Sequence, residues 1–233
     1  MTTLYNSIRK DEGFTLVELA VVMIIIGLLV GGILKGQEMI ANTQVTTTIA
    51  QVKAIDAAVG TFRDMYDAFP GDMAGADTRL VGCTTGAACA PTVGTLGNQR
   101  LEGTPLTATL TGETGAFFPQ LSFADLISGL NASNMIDTNV TGHQFVPGYV
   151  NGAAALGELA NPRGGHYLAI ISPGGTTGAL KALDAARMDR KLDDGIATTG
   201  STGAVGTTGC HATGVYDEDS QSLSCGLVVR IQG

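Results

Sequence analysis

From Phe14 to Leu34 the chain reads FTLVELAVVMIIIGLLVGGIL, 21 residues interrupted by a single charge, Glu18. About 20 apolar residues cross a bilayer as an α-helix, so this run predicts a membrane-spanning helix. Further along, the apolar positions cease to be continuous and become periodic. Val45, Ile49, Val52, Ile55, Val59, Phe62 and Tyr66 are separated by steps of three or four residues, which places them on one face of an amphipathic helix. Together the two patterns predict one helix from Phe14 to Tyr66, roughly 80 Å long at about 1.5 Å per residue. Its second half offers a stripe for a globular head to cover. Gly27, Gly31, Gly32 and Gly36 interrupt the middle, and each costs about 1 kcal/mol relative to alanine inside a helix. They predict either unwinding over residues 27–36 when copies pack together, or close approach of neighbouring helices. Phe69-Pro70-Gly71-Asp72 stops the helix, because proline lacks a backbone donor and Pro-Gly favours a turn.

Beyond that turn the pattern is weaker. Residues 73–120 are rich in Gly, Thr and Ala and read as an extended loop region. Ser122-Phe123-Ala124-Asp125 has the spacing of a helix-opening box and predicts a short helix to Leu130. Residues 144–150 and 167–172 read as strands. Leu180, Leu183, Met188 and Leu192 predict a helix over 179–192, ending before Gly195. Residues 196–214 are again Gly/Thr-rich, and 223–232 read as a last strand. Strands following a long helix imply an α+β head whose antiparallel sheet packs on the helix stripe.

Composition narrows the classes. The 233 residues allow one large domain or two small ones. Thirteen Lys and Arg against 21 Asp and Glu give a net charge of −8, which argues against a general nucleic-acid binder. A charged fraction of 15% with 44% hydrophobic residues excludes an intrinsically disordered chain. The glycines show no three-residue period, which excludes collagen.

The N-terminal run is too long for a conventional secretory signal, and no small-residue cleavage site follows it. The first cysteine is Cys83, which excludes a lipoprotein. A plain membrane anchor fits the length but leaves Glu18 unexplained, because a carboxylate at that depth is costly and usually functional. Gly13-Phe14-Thr15-Leu16-Val17-Glu18 ahead of the apolar run resembles the class III signal of type IV prepilins and pseudopilins. The resemblance covers about residues 9–40.

It implies that a prepilin peptidase cuts after Gly13 on the cytoplasmic side and methylates the new amine of Phe14. A residue without a side chain at Gly13 lets a protease approach the backbone closely. Arg9 and Lys10 hold the leader in the cytoplasm by the positive-inside rule. The resemblance further implies that Glu18 pairs with the Phe14 amine of a neighbouring copy, setting axial register and offsetting part of the cost of two ions in an apolar bundle. Snorkelling of Glu18 to the headgroups is the alternative. Related pilins carry a helix-breaking proline near residues 27–36, and this chain has Lys35 and glycines there instead.

The cysteines are Cys83, Cys89, Cys210 and Cys225, which allow three connectivities. In an exported domain disulfides are expected. Local pairing, Cys83 with Cys89 and Cys210 with Cys225, is the simplest. The second pair would enclose a loop resembling the disulfide-bounded surface region of many pilins. A zinc site is suggested only by Cys210-His211. No cofactor is expected, although the clusters Asp189, Asp193, Asp194 and Asp217, Glu218, Asp219 are candidate calcium ligands, because some major pseudopilins bind calcium in a C-terminal loop. The alternative reading is a solvated acidic surface, or Asp193-Asp194-Gly195 as a turn. His143, His166 and His211 read as surface residues, and no catalytic motif accompanies them.

The expected organisation is therefore a cytoplasmic leader (1–13), the transmembrane and assembly half of the helix (14–35), its amphipathic periplasmic half (36–66) and an α+β head (67–233). The expected function is that of a non-enzymatic subunit of a type IV pilus or related filament. Its partners would be prepilin peptidase, other copies or related pilins, and an inner-membrane assembly platform. It would lie in the inner membrane with its head in the periplasm, and later in a surface pilus or a periplasmic pseudopilus. The alternatives are a pseudopilin of a type II secretion system and a plain membrane-anchored binding domain.

Overall fold

The computed structural model describes residues 14–85, 87–106, 112–128, 142–152, 155–173, 178–206 and 208–231. Helix α1 runs from Leu16 to Tyr66 without a break, through all four central glycines. It starts two residues later than the apolar run because Thr15 serves as its cap. Up to Thr43 the helix belongs to one compact unit, and the head from Gln44 onward forms a second. In the first unit the apolar side chains from Phe14 to Leu34 are all exposed. A surface of that size in water is untenable for a soluble monomer and marks contact with lipid or other chains.

In the head unit the predicted stripe is the core face. Val45, Ile49, Val52, Ile55, Val59 and Phe62 are buried, and Tyr66 is half-buried. They pack into one cluster with Phe145, Leu168, Ile170, Leu227 and Val229 of the sheet. The α+β architecture read from the pattern is the one observed.

The remaining elements follow in chain order. Helix α2 is a single turn, Ala76–Arg79, and helix α3 spans Gly112–Phe123. Strands β1 (Gln144–Val150), β2 (Gly165–Ile171) and β3 (Leu180–Lys181) lead into helix α4 (Ala182–Leu192). Strands β4 (Thr202–Val205), β5 (His211–Ala212), β6 (Val215–Tyr216) and β7 (Leu223–Arg230) complete the described fold. Strand β7 is the hub: it pairs antiparallel with β2, β3 and β4, while β1 pairs with β2. Strands β5 and β6 form a separate small hairpin. Alternate residues of a strand face opposite sides of a sheet, and both sides are buried here. Leu168 and Ile170 join the helix-side core, whereas Tyr167, Ala169 and Ile171 join a second cluster with Val146, Leu156 and Val228.

The structure corrects four expectations. Residues 73–120 are not one extended loop, since they contain α2 and most of α3. Ser122 does not open a helix to Leu130; it lies in the last turn of α3, and Asp125 has the left-handed φ of 58°. Residues 129 and 130 lie outside the described set. Burial of Phe117, Phe118 and Leu121 draws the helix upstream, overriding the weak propensity of its Gly and Pro residues. The 179–192 helix begins at Ala182, because Leu180 and Lys181 pair with β7. The stretch 196–214 holds β4 and β5, and Gly203 in β4 sits where a side chain would collide with Leu159.

Two disulfides brace the head, Cys83–Cys89 and Cys210–Cys225. The first closes a sequence separation of 6 residues. Chain-entropy arithmetic assigns a loop that short about 2 kcal/mol. A C83S/C89S double variant should lose about that much in urea unfolding, with an unchanged slope against denaturant. A loss no larger than that of a surface serine substitution would remove the bridge from the account of stability.

Candidate functional site

The N-terminus of α1 is built around Glu18. One of its carboxylate oxygens, Oε2, accepts the Thr15 N–H at 2.8 Å and the Thr15 hydroxyl at 2.8 Å. The Glu18 N–H donates to Thr15 Oγ1 at 3.3 Å. This reciprocal pair is a capping box, with Thr15 at the cap and Glu18 three residues on. It satisfies two of the orphan N–H groups of the helix start. The spacing T-x-x-E before an apolar run is the sequence signal for this cap, a role for Glu18 beyond pairing or snorkelling. Among the described residues, the hydrogen bonds to the Glu18 carboxylate all fall on Oε2. Phe14 is 81% exposed. Gly13 and the rest of the leader lie outside the described residues.

Against this geometry, residues 8–34 match the family described as the prokaryotic N-terminal methylation motif. That motif supports a type IV prepilin- or pseudopilin-type protein. The match brackets Gly13, Phe14 and Glu18 with the whole of the apolar run. Among curated proteins and solved structures there is no significant match. The apolar helix together with the motif is consistent with a membrane-anchored precursor.

Among the described residues, no close packing requires the glycines of this helix. A Cβ added at Gly27, Gly31, Gly32 or Gly36 would meet nothing within 4 Å. Each still costs helix stability, which leaves both sequence readings of these glycines, unwinding on packing and close helix approach, in place.

In the head, Asp189, Asp193 and Asp194 do come together, with one oxygen from each within 4.8 Å of the others. Most of their oxygens already hold protein groups. Asp193 Oδ2 accepts the N–H groups of Ser201 and Thr202, the latter at 3.1 Å. Asp194 accepts the Ile196 N–H at 2.8 Å and the Thr199 hydroxyl at 2.6 Å. Asp189 is fully buried, and its Oδ2 accepts the Tyr216 hydroxyl at 3.0 Å. The cluster thus clamps the loop after α4, which fits the Asp193-Asp194-Gly195 turn reading. Within this cluster, the buried oxygen that lacks a hydrogen bond among the described residues is Asp189 Oδ1. Burial pushes the Asp189 carboxyl up to about 7; Tyr216 opposes this, and Asp194 and Asp193 reinforce it. The second acidic run does not join the cluster, and its Glu218 is paired with Arg190.

The histidines do not converge. His166 is not a surface residue: it is 3% exposed on β2, stacked on Phe69 with ring centroids 3.6 Å apart. His211 lies on β5 with Nε2 3.4 Å from Glu158. His143 precedes β1, and burial lowers its pKa. Cys210 commits its sulfur to a disulfide, which removes the Cys210-His211 zinc reading.

The Phe69-Pro70-Gly71-Asp72 turn does more than end a helix. Gln120 of α3 accepts the Gly71 N–H and donates to the Cys89 carbonyl at 2.9 Å. Asp72, fully buried, accepts the N–H of Gly97 at 2.7 Å and that of Gln99. The turn therefore ties the end of α1 to α3, to the first disulfide loop and, through Phe69, to β2. Burial raises the Asp72 pKa against the pull of those N–H groups.

Proposed function

We propose that the protein is a structural subunit of a type IV pilus or related filament. Prepilin peptidase cleaves it after Gly13 and N-methylates Phe14, and it assembles through its N-terminal helix. The observation that carries this reading is a capped, wholly exposed apolar helix start inside a methylation motif. The head then lies on the periplasmic side before assembly and forms the filament surface. Partners are the peptidase, an inner-membrane assembly platform and other pilins; the chemistry needs no cofactor.

Intact-mass and N-terminal peptide analysis of the protein from its native membranes tests processing. The expected mature chain begins with N-methylated Phe14. A chain still starting at Met1 in cells with active prepilin peptidase would overturn the proposal in favour of a plain anchored domain.

Glu18 has a sharper test, because its cap and its charge separate. Glu18→Gln retains the capping box, which accepts Glu or Gln at that position, but removes the negative charge. The variant should still be processed and membrane-inserted, while its level in the sheared filament fraction falls at least about tenfold, equivalent to about 1.4 kcal/mol of lost assembly energy. Normal assembly of Glu18→Gln alongside failure of Glu18→Ala would reduce the role of Glu18 to capping. The alternative filament is a type II secretion pseudopilus. A head larger than that of compact major pseudopilins favours a pilus subunit or a minor pseudopilin, and recovery of the protein from sheared cell surfaces selects the pilus.

A further inference from the structure

The arginines of the head are unevenly compensated. Arg187 pairs with Asp184, and Arg190 with Glu218. Arg163 and Arg230 have no ion pair among the described residues, in a chain with 21 acidic and 13 basic residues. The two converge on one pocket of about 440 Å³.

Local structure fixes both. Arg230 ends β7 directly across from Tyr167 of β2. The Tyr167 hydroxyl donates to the Arg163 carbonyl at 2.9 Å, which sets the turn leading into β2. In that turn the Gly164 carbonyl accepts from the Arg230 guanidinium at 3.2 Å. Gly165, with φ +153°, lets the guanidinium lie against the backbone: a Cβ there would come within 3.0 Å of its Nε. Both cations act on the Tyr167 hydroxyl, opposing the upward pull that burial exerts on its pKa. Asn161 and Ser201 line the same pocket. Asp193 lines it too, but its Oδ2 is taken by the Ser201 and Thr202 N–H groups, and it lies beyond ion-pair reach of either arginine.

We propose that this pocket binds a small carboxylate-bearing molecule of sugar-acid size. A guanidinium presents a rigid fork of donors that matches a carboxylate, and such charge-assisted bonds are about twice as strong as neutral ones. Asn161 and Ser201 supply neutral polar groups for hydroxyls on the same ligand. The volume lies within the roughly 300–1,000 Å³ of small-molecule sites. The inference is independent of which filament the protein builds.

The test is calorimetric titration of the full mature chain in detergent micelles with D-glucuronate, D-glucose and inorganic sulfate. Glucuronate should bind saturably, more weakly as salt rises, and glucose should not bind. Arg163→Gln and Arg230→Gln should each weaken glucuronate about tenfold or more while the thermal midpoint stays within a few degrees of the parent. No saturable glucuronate binding, or equal binding in both variants, would overturn the site. Equal affinity for sulfate and glucuronate would overturn the carboxylate assignment.

Discussion

Asp189→Asn should leave the head's stability nearly unchanged at about pH 4 and raise it by about 4 kcal/mol at about pH 8. In the unfolded chain Asp189 ionises near 3.8, whereas in the folded protein burial keeps its proton on up to about 7. Between those values the native state binds more protons than the unfolded one, so stability falls as pH rises through the window. At 1.36 kcal/mol per unit this amounts to about 4 kcal/mol. Asparagine does not titrate, and its amide oxygen keeps an acceptor for Tyr216. Urea unfolding of parent and variant across pH 4 to 8 gives the difference curve. The groups facing Asp189 are Tyr216, Asp193, Asp194 and the Gly195 N–H. A divalent cation held by the three carboxylates would reverse the sign: Asp189 would stay ionised, and the variant would lose stability in calcium but not in EDTA. A flat difference curve would mean that Asp189 is not buried in its charged form's disfavour at all.

The second large effect runs the other way. Burial, reinforced by the nearby Arg63 charge, lowers the His166 pKa from 6.5 to about 4. Between these values the unfolded chain binds a proton that the folded chain refuses, so stability drops as pH falls from about 6.5 to 4. The contribution is about 3 kcal/mol. Neither ring nitrogen has a hydrogen-bond partner among the described residues, so protonation brings no compensating contact there; the ring meets Phe69 face-on and Tyr149 edge-on. His166→Phe keeps an aromatic ring for that stack and does not titrate. Relative to the parent it should gain about 3 kcal/mol of stability on going from about pH 6.5 to 4. Parallel curves for the two proteins would overturn the assignment.

Legibility of the fold followed the strength of each local pattern. The α1 stripe was readable because helix period and burial agree at Val45, Ile49, Val52, Ile55, Val59 and Phe62. Strands β1, β2 and β7 were readable as compact runs of apolar residues. Helix α3 was not, because Gly115 and Pro119 sit within GETGAFFPQLSF, and only the tertiary burial of Phe117 and Phe118 makes it form. Strand β4 was hidden because its residues, TGAV, are small to fit beneath Leu159, and small residues resemble a loop. At the N-terminus the motif is legible at Gly13, Phe14 and Glu18, whereas the cap made by Thr15 is masked by the charge of Glu18, which has a function of its own in the motif. Asp72 and His166 were missed for a common reason. Their importance comes from partners far away in sequence, Gly97, Gln99 and Phe69, which no local spacing announces.

Strand β7 carries a consequence in time. It follows in the chain every strand it joins, and β2, β3 and β4 all depend on it for their pairing. With synthesis at about 5–20 residues per second, the interval between the emergence of Ile171 and Leu223 is on the order of seconds. Throughout that interval β2 has an open edge and the stripe of α1 has only part of its cover. Long-range pairing of this kind is intrinsically slow. The apolar segment from Phe14 onward, in contrast, is finished early and needs nothing downstream to become a helix in lipid. The order of residues therefore separates two events: the chain can be moored before its head is able to fold. On the proposed reading, in which the head reaches the periplasm, a head that cannot close early also stays threadable for that passage.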